Sequence, residues 1–305
     1  MSHASRRGIT WLEVVVVVFI IAVLITLLMP AIQRQRNGPR RNQCLNNMKN
    51  LTLAVANFQT TKGGTLPLLE DGRHGWPVAL LPYLDQPRLV RGIQTPGWTD
   101  KNAPYLEVFT CRHDEDSFQA PGGLSYVANA GYGFFPVDPR TGAVTETGTH
   151  SLAQDWNGDG EISEDDRLMT RATGVVWRKD EIVPTLTIDD IGAADGAGST
   201  LLFLENLHAG PWTSRDARAI AFVVDRDRLT FASEILPFAL NGANDSERTG
   251  PFPAPSSGHG QTVQAAFADG RVSSLNDMID PLVFLRLMTP QGSLYGQKSL
   301  GDAEY

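Results

Sequence analysis

A chain of 305 residues has the length of one large domain or two modest ones, and its 42% hydrophobic fraction is enough for a core, which excludes wholesale disorder. Two cysteines are too few for a disulfide scaffold or a four-ligand zinc site, and a net charge of −8 argues against general nucleic-acid binding. That charge is unevenly spread: residues up to Lys62 carry a balance of +7 and the remainder −15, so a basic stem precedes an acidic body.

The stem opens with Arg6 and Arg7, then an apolar run from Val14 to Met29 in which only Thr26 is polar. Taken back to Ile9, the run is long enough at about 1.5 Å per residue to span roughly 30 Å, the thickness of a bilayer's hydrocarbon core. It predicts a transmembrane helix. A secretory signal peptide is the competing reading, but the stretch is too long for one and no small-x-small cleavage site follows. Glu13 stands at the start of the run, where a carboxylate is expensive unless paired, and is therefore a candidate functional residue.

Gly8-Ile9-Thr10-Trp11-Leu12-Glu13, the apolar run and Pro30 together resemble the N-terminus of type IV prepilins and type II secretion pseudopilins. The resemblance implies a leader, residues 1–8, cut after Gly8 by a prepilin peptidase. It also implies N-methylation of the new terminus Ile9, and assembly roles for Glu13 and Pro30. The implied partners are that peptidase, other pilin-like subunits and the lipid bilayer, with no nucleic acid. The implied location is the inner (cytoplasmic) membrane, single-pass, with an extracytoplasmic head. Buried among parallel helices, Glu13 could pair with a neighbour's α-amino group and so set axial register.

Pro30 predicts a kink and Asn37-Gly38-Pro39 a stronger break. Helical spacing resumes over Arg41–Gln59 and stops at Lys62-Gly63-Gly64. Within it, Arg41-Asn42-Gln43-Cys44-Leu45-Asn46-Asn47-Met48-Lys49 resembles the DUF1559 group of prepilin-like proteins, as do Val108-Phe109-Thr110-Cys111 and the H-x9-DG motif of His259, Asp269 and Gly270. That resemblance, with an extracytoplasmic body, invites a disulfide between Cys44 and Cys111; two buried thiols are the alternative.

In the body, Asp155-x-Asn157-x-Asp159-Gly160-Glu161-x-Ser163-x-x-Asp166 has the twelve-residue spacing of a calcium loop. Asp155, Asn157 and Asp159 would bind through side chains, Glu161 through its carbonyl, Ser163 directly or through water, and Asp166 would close the sphere. A solvated acidic loop is the plain alternative. His259 and Asp269 could form a catalytic pair, but no nucleophile or metal partner is named by the spacing, and Asp269-Gly270 reads more simply as a hairpin turn. No P-loop, dinucleotide glycine motif, G-x-S-x-G or H-E-x-x-H occurs.

The fold expected is α+β and pilin-like: a long kinked N-terminal transmembrane helix (residues 9–62) packed on an antiparallel β-rich head (63–305), with the calcium-loop insertion near 150–170. Strands are predicted at Gly174–Trp177, Thr200–Glu205, Ile220–Val224 and a final hairpin, and a short helix at Asp280–Met288. The expected function is a non-enzymatic structural subunit or accessory of a type IV pilus or type II secretion system. The alternative is a membrane-tethered module that binds a glycan or envelope partner without polymerising.

Overall fold

The computed structural model describes residues 11–95, 98–99, 102–133, 155–178, 185–225, 240 and 255–297, with the side chains of 27–37 and 39 set aside. The chain divides into two compact units, residues 1–42 and 43–305.

One helix, α1, runs from Trp11 to Thr61 and is helical through Pro30 and 37–39, so the expected break is absent. A proline removes a single backbone hydrogen bond, and helix on both sides can absorb that loss. Past Gln43, apolar residues at helical spacing (Cys44, Met48, Leu51, Val55) are all buried and lock the helix into the body. The end is set by Gly63 and Gly64, both at positive φ, with Gly64 N–H donating to the Gln59 carbonyl at 2.9 Å.

The membrane expectation is corrected. Among the described residues no helix is long and apolar enough to cross a membrane. The transmembrane helix and the single-pass inner-membrane location inferred from it are therefore withdrawn.

The body is α+β. Its strands are β1 (Tyr126–Gly133), β2 (Leu201–Glu205), β3 (Ala221–Asp225), β4 (Thr262–Phe267) and β5 (Val272–Asn276), ordered β3-β1-β2-β4-β5 in one sheet. The sheet is mixed, where an antiparallel one was expected: β1 and β3 are parallel and the other neighbours antiparallel. A parallel pair needs a long crossover, and the residues between Gly133 and Ala221 provide it. The body also carries short helices: α2 (Trp76–Leu80), α3 (Pro87–Ile93), α4 (Glu164–Arg171), α5 (Ile188–Ala193), α6 (Ala217–Ile220) and α7 (Pro281–Met288).

Strand alternation sorts the core onto two faces. Tyr126, Ala128, Ala221 and Val223 join the α1 residues, Trp76, Phe109 and Trp212 on one face. Val127, Phe222, Val224, Val263 and Phe267 meet Phe284, Leu285, Leu287 and Met288 of α7 on the other. In β2, Leu202 and Phe203 both belong to the α1 face, because the register slips between Leu201 and Phe203.

The predicted strand at 174–177 is irregular chain whose Val175 and Val176 N–H groups donate to the Asn129 carbonyl at 3.0 and 2.9 Å. Two glycines permit this approach: a Cβ on Gly174 would lie 2.3 Å from the Gly131 nitrogen, and one on Gly131 would lie 2.6 Å from the Gly174 nitrogen.

Candidate functional site

Three segments far apart in sequence meet beside the sheet. Cys44 is delivered by the second half of α1, and Cys111 by the chain just after a 3-10 turn at 107–109. His259 comes from the Gly258-His259-Gly260 approach to β4. Cys44 and Cys111 are joined as a disulfide, with Cα atoms 4.9 Å apart.

Hydrogen bonds fix each member. The Arg112 N–H donates to Cys44 Sγ at 3.2 Å, and the Cys111 N–H donates to Ser125 Oγ at 2.9 Å. Ser125 in turn donates to Asp114 Oδ2 at 2.7 Å, and Asp114 Oδ1 accepts from the Ser117 N–H at 3.1 Å. Burial of Asp114 raises its pKa above the ordinary 3.8, because removing the carboxylate from water outweighs these donors. Tyr126 Oη donates to the Cys44 carbonyl at 3.1 Å, and its pKa is raised first by burial and then by the nearby Glu205 charge.

His259 Nε2 lies 3.2 Å from Cys111 Sγ and 3.3 Å from Glu205 Oε1. Glu205 ends β2 and is only 1% exposed. Its Oε2 accepts from Ser257 Oγ at 2.5 Å and from the Gln264 N–H at 3.1 Å, while Oε1 accepts no hydrogen bond among the described residues. His113 closes the cluster, its ring centroid 4.2 Å from that of His259. Gly258 is required here, since a Cβ would meet the His113 carbonyl oxygen at 2.4 Å.

The H-x9-DG motif therefore works as two separate parts. His259 belongs to the disulfide cluster, with Glu205 as its carboxylate neighbour. Asp269 and Gly270 lie beyond the other end of β4, roughly 20 Å away for six residues of strand. Asp269 Oδ1 caps the β4–β5 turn by accepting from the Arg271 N–H at 2.8 Å, and Gly270 takes the positive φ of +84°. The same α1 segment serves both parts. Asn47 Nδ2 donates to the carbonyls of Glu107 and Thr110 at 2.8 and 3.0 Å, and Lys49 Nζ donates to the Gly270 carbonyl at 2.6 Å.

The acidic loop forms a tight coil of side-chain-capped turns. Asp155 accepts from the Gly158 and Gly160 N–H groups at 2.6 and 2.8 Å, Asn157 Oδ1 from Asp159 at 2.9 Å, and Asp159 Oδ1 from Glu161 at 2.8 Å. Ser163 caps α4, and Asp166 Oδ2 accepts from the Ser163 N–H at 3.0 Å in return. Asp166 Oδ1 accepts from the Trp156 N–H at 2.8 Å. Helix α4 thus starts at position 10 of the twelve-residue loop. Among the described residues, the metal-sized cluster of His, Cys and acidic ligand atoms is the cysteine–histidine one; the loop carboxylates hold backbone N–H groups.

Glu13 lies in the first turn of α1, and Pro30 lies within α1 with its side chain outside the described set. Gly8 and Ile9 fall outside the described residues.

Residues 33–282, most of the chain, match the family described as a protein of unknown function, DUF1559. The chain belongs to the DUF1559 family. No curated protein and no solved structure matches it. The matched span of this DUF1559 chain includes Cys44, Cys111, His113, Glu205, His259 and the Asp269-Gly270 turn. His113 and Glu205 carried no sequence signal of their own; the one available hint was the Cys111-x-His113 spacing.

Proposed function

We propose that this DUF1559 chain is a pilin-like structural subunit whose N-terminal helix assembles against the helices of like subunits. The observation that carries the reading is the exposed apolar start of α1. Trp11 is 82%, Val18 60% and Phe19 68% exposed, and apolar residues occupy every side of the helix from Val14 to Ile25. A helix apolar all round needs a partner on all sides, and parallel copies of the same helix supply one. Glu13 then sits where a processed neighbour's α-amino group can meet it, each charge relieving the other. In this reading a prepilin peptidase cuts after Gly8 and exposes Ile9. The disulfide-closed body is the displayed part and performs no catalytic step.

The test is co-expression of the full chain with a prepilin peptidase, followed by mass spectrometry of its N-terminus and sedimentation of the product. The expected result is a chain starting at Ile9 that sediments as large assemblies, with Glu13→Ala and Val17→Glu variants processed but unassembled. A processed wild-type chain that stays monomeric, or variants that assemble as well as wild type, would overturn it.

The loop from Asp155 to Asp166 is proposed as a structural calcium site. Support comes from its complete oxygen spacing, the positive φ of Gly160 and the start of α4 at the tenth position. Each carboxylate oxygen that accepts a backbone N–H retains a second lone pair for a cation.

A further inference from the structure

The disulfide cluster has a second chemistry that does not depend on how the chain assembles. One ligand atom each from Cys44, Cys111, His113 and His259 lies within 4.8 Å of every other. Two thiolates and two imidazoles are the donor set of a tetrahedral zinc site, with Zn–S about 2.3 Å and Zn–N about 2.0–2.1 Å. We propose that opening the Cys44–Cys111 disulfide with a dithiol converts this cluster into a zinc site with those four residues as ligands.

The chemistry balances in two steps. A dithiol attacks one sulfur, forms a mixed disulfide and leaves as its own cyclic disulfide. Two electrons thereby reach the Cys44–Cys111 bond, which ends as two thiols. Zinc then displaces both thiol protons to solvent, and two thiolates with two neutral imidazoles complete a neutral centre. Two sulfurs on a tetrahedral zinc stand roughly 3.8 Å apart at ~2.3 Å bond lengths. Side-chain rotation accommodates that separation, since the Cα atoms are 4.9 Å apart.

The surroundings suit a metal-bound thiolate. The Arg112 N–H already points at Cys44 Sγ from 3.2 Å, the hydrogen bond that steadies a metal-bound thiolate. Glu205 presents a buried carboxylate oxygen, without a hydrogen-bond donor among the described residues, 3.3 Å from the His259 ring nitrogen. That oxygen lies beside the cluster and is not one of the four proposed ligands. The His259 side chain is 3% exposed, and the backbone on either side of it, Gly258 and Gly260, is exposed. The two cysteines alone are too few for such a site; two histidines from other segments complete it.

The experiment uses the purified full chain, oxidised or reduced with dithiothreitol that is then removed under argon, and titrates each with cobalt(II) followed by zinc. The expected result for the reduced chain is one equivalent of cobalt, with thiolate-to-cobalt charge transfer and the visible bands of a tetrahedral ion, both erased by zinc. The oxidised chain gives neither. His113→Ala and His259→Ala each weaken binding by roughly 100-fold or more, while His259→Cys restores it, an outcome a merely structural histidine would not give. A reduced wild-type chain without the charge-transfer band overturns the proposal. So does equal cobalt affinity in the oxidised chain or in the doubly substituted histidine variant.

Discussion

Lys49 on the stem helix donates a 2.6 Å hydrogen bond to the carbonyl of Gly270, 221 residues later in the chain. The β4–β5 turn is thereby docked on α1, and Gly270 holds its φ of +84° with room around it: the nearest atoms a Cβ would meet are 3.7 Å away. Gly270→Ala is strained through its backbone alone and should destabilise by roughly 1–2 kcal/mol. Lys49→Met removes an exposed hydrogen bond and should cost less than about 1 kcal/mol. Urea midpoints of the two variants check this order, and the reverse order would mean the docking contact dominates the turn.

Removing the crosslink should matter more. The Cys44–Cys111 loop has a sequence separation of 67, for which loop-closure entropy gives about 4 kcal/mol. A metal-free Cys44→Ala/Cys111→Ala variant is expected to lose about that much stability in denaturant titration. A loss under about 1 kcal/mol would show that packing around Met48 and Leu51 already restrains the denatured chain.

Asn129 in β1 is fully buried and joins three elements. Its Nδ2 donates to the carbonyls of Leu201 in β2 and Met288 in α7 at 2.8 and 2.7 Å, and its Oδ1 accepts from the Gly131 N–H at 3.0 Å. Asn129→Ala strands all three backbone groups and should lower stability by about 2–4 kcal/mol. Thermal unfolding followed by circular dichroism measures it, and a neutral substitution would mean that water replaces the amide.

Asp114 gives a pH signature of its own. Its folded-state pKa is raised above 3.8 by burial, so the folded protein binds the proton more tightly than the unfolded chain. Stability from this group is greatest below 3.8 and falls as pH rises through that value to the raised one. Asp114→Asn cannot ionise, so its stability relative to wild type should climb across that window and then level off. Unfolding free energies of both proteins on a pH series reveal the slope; a slope of the opposite sign would mean the Ser117 and Ser125 donors outweigh burial.

Calorimetry of the full chain with calcium should give one binding event that a chelator reverses, and Asp155→Ala should abolish it. Absence of heat in the wild-type chain, together with unchanged thermal stability on adding calcium, would reduce the loop to its hydrogen-bonded turns.

Local signals in the sequence were reliable where the structure is local. The Asp269-Gly270 turn, the strand at Leu201–Glu205, and α7 with its Asp280 cap lie close to their predicted positions. The interior strand β1 was missed because Tyr126–Gly133 is rich in alanine and glycine, small residues with weak strand preference that are nevertheless needed where Gly131 touches Gly174. Continuity of α1 was obscured by Pro30 and Gly38-Pro39, which read as stops in isolation. The pairing of Cys44 with Cys111 could be suspected from family resemblance. The roles of His113 and Glu205 could not, because a cluster assembled from α1, a loop, β2 and the approach to β4 leaves no spacing to recognise beyond Cys111-x-His113.

The crosslink also decides how the body responds to tension. A pull arriving along α1 from its exposed end reaches Cys44 before Met48, Leu51 or Val55, the residues that anchor the helix to the sheet. The bond to Cys111 diverts that load past every residue between them. The second half of α1 cannot be peeled from the sheet turn by turn while the bond is intact, and mechanical endurance in this protein is therefore governed by a covalent link that a change in redox conditions can cut.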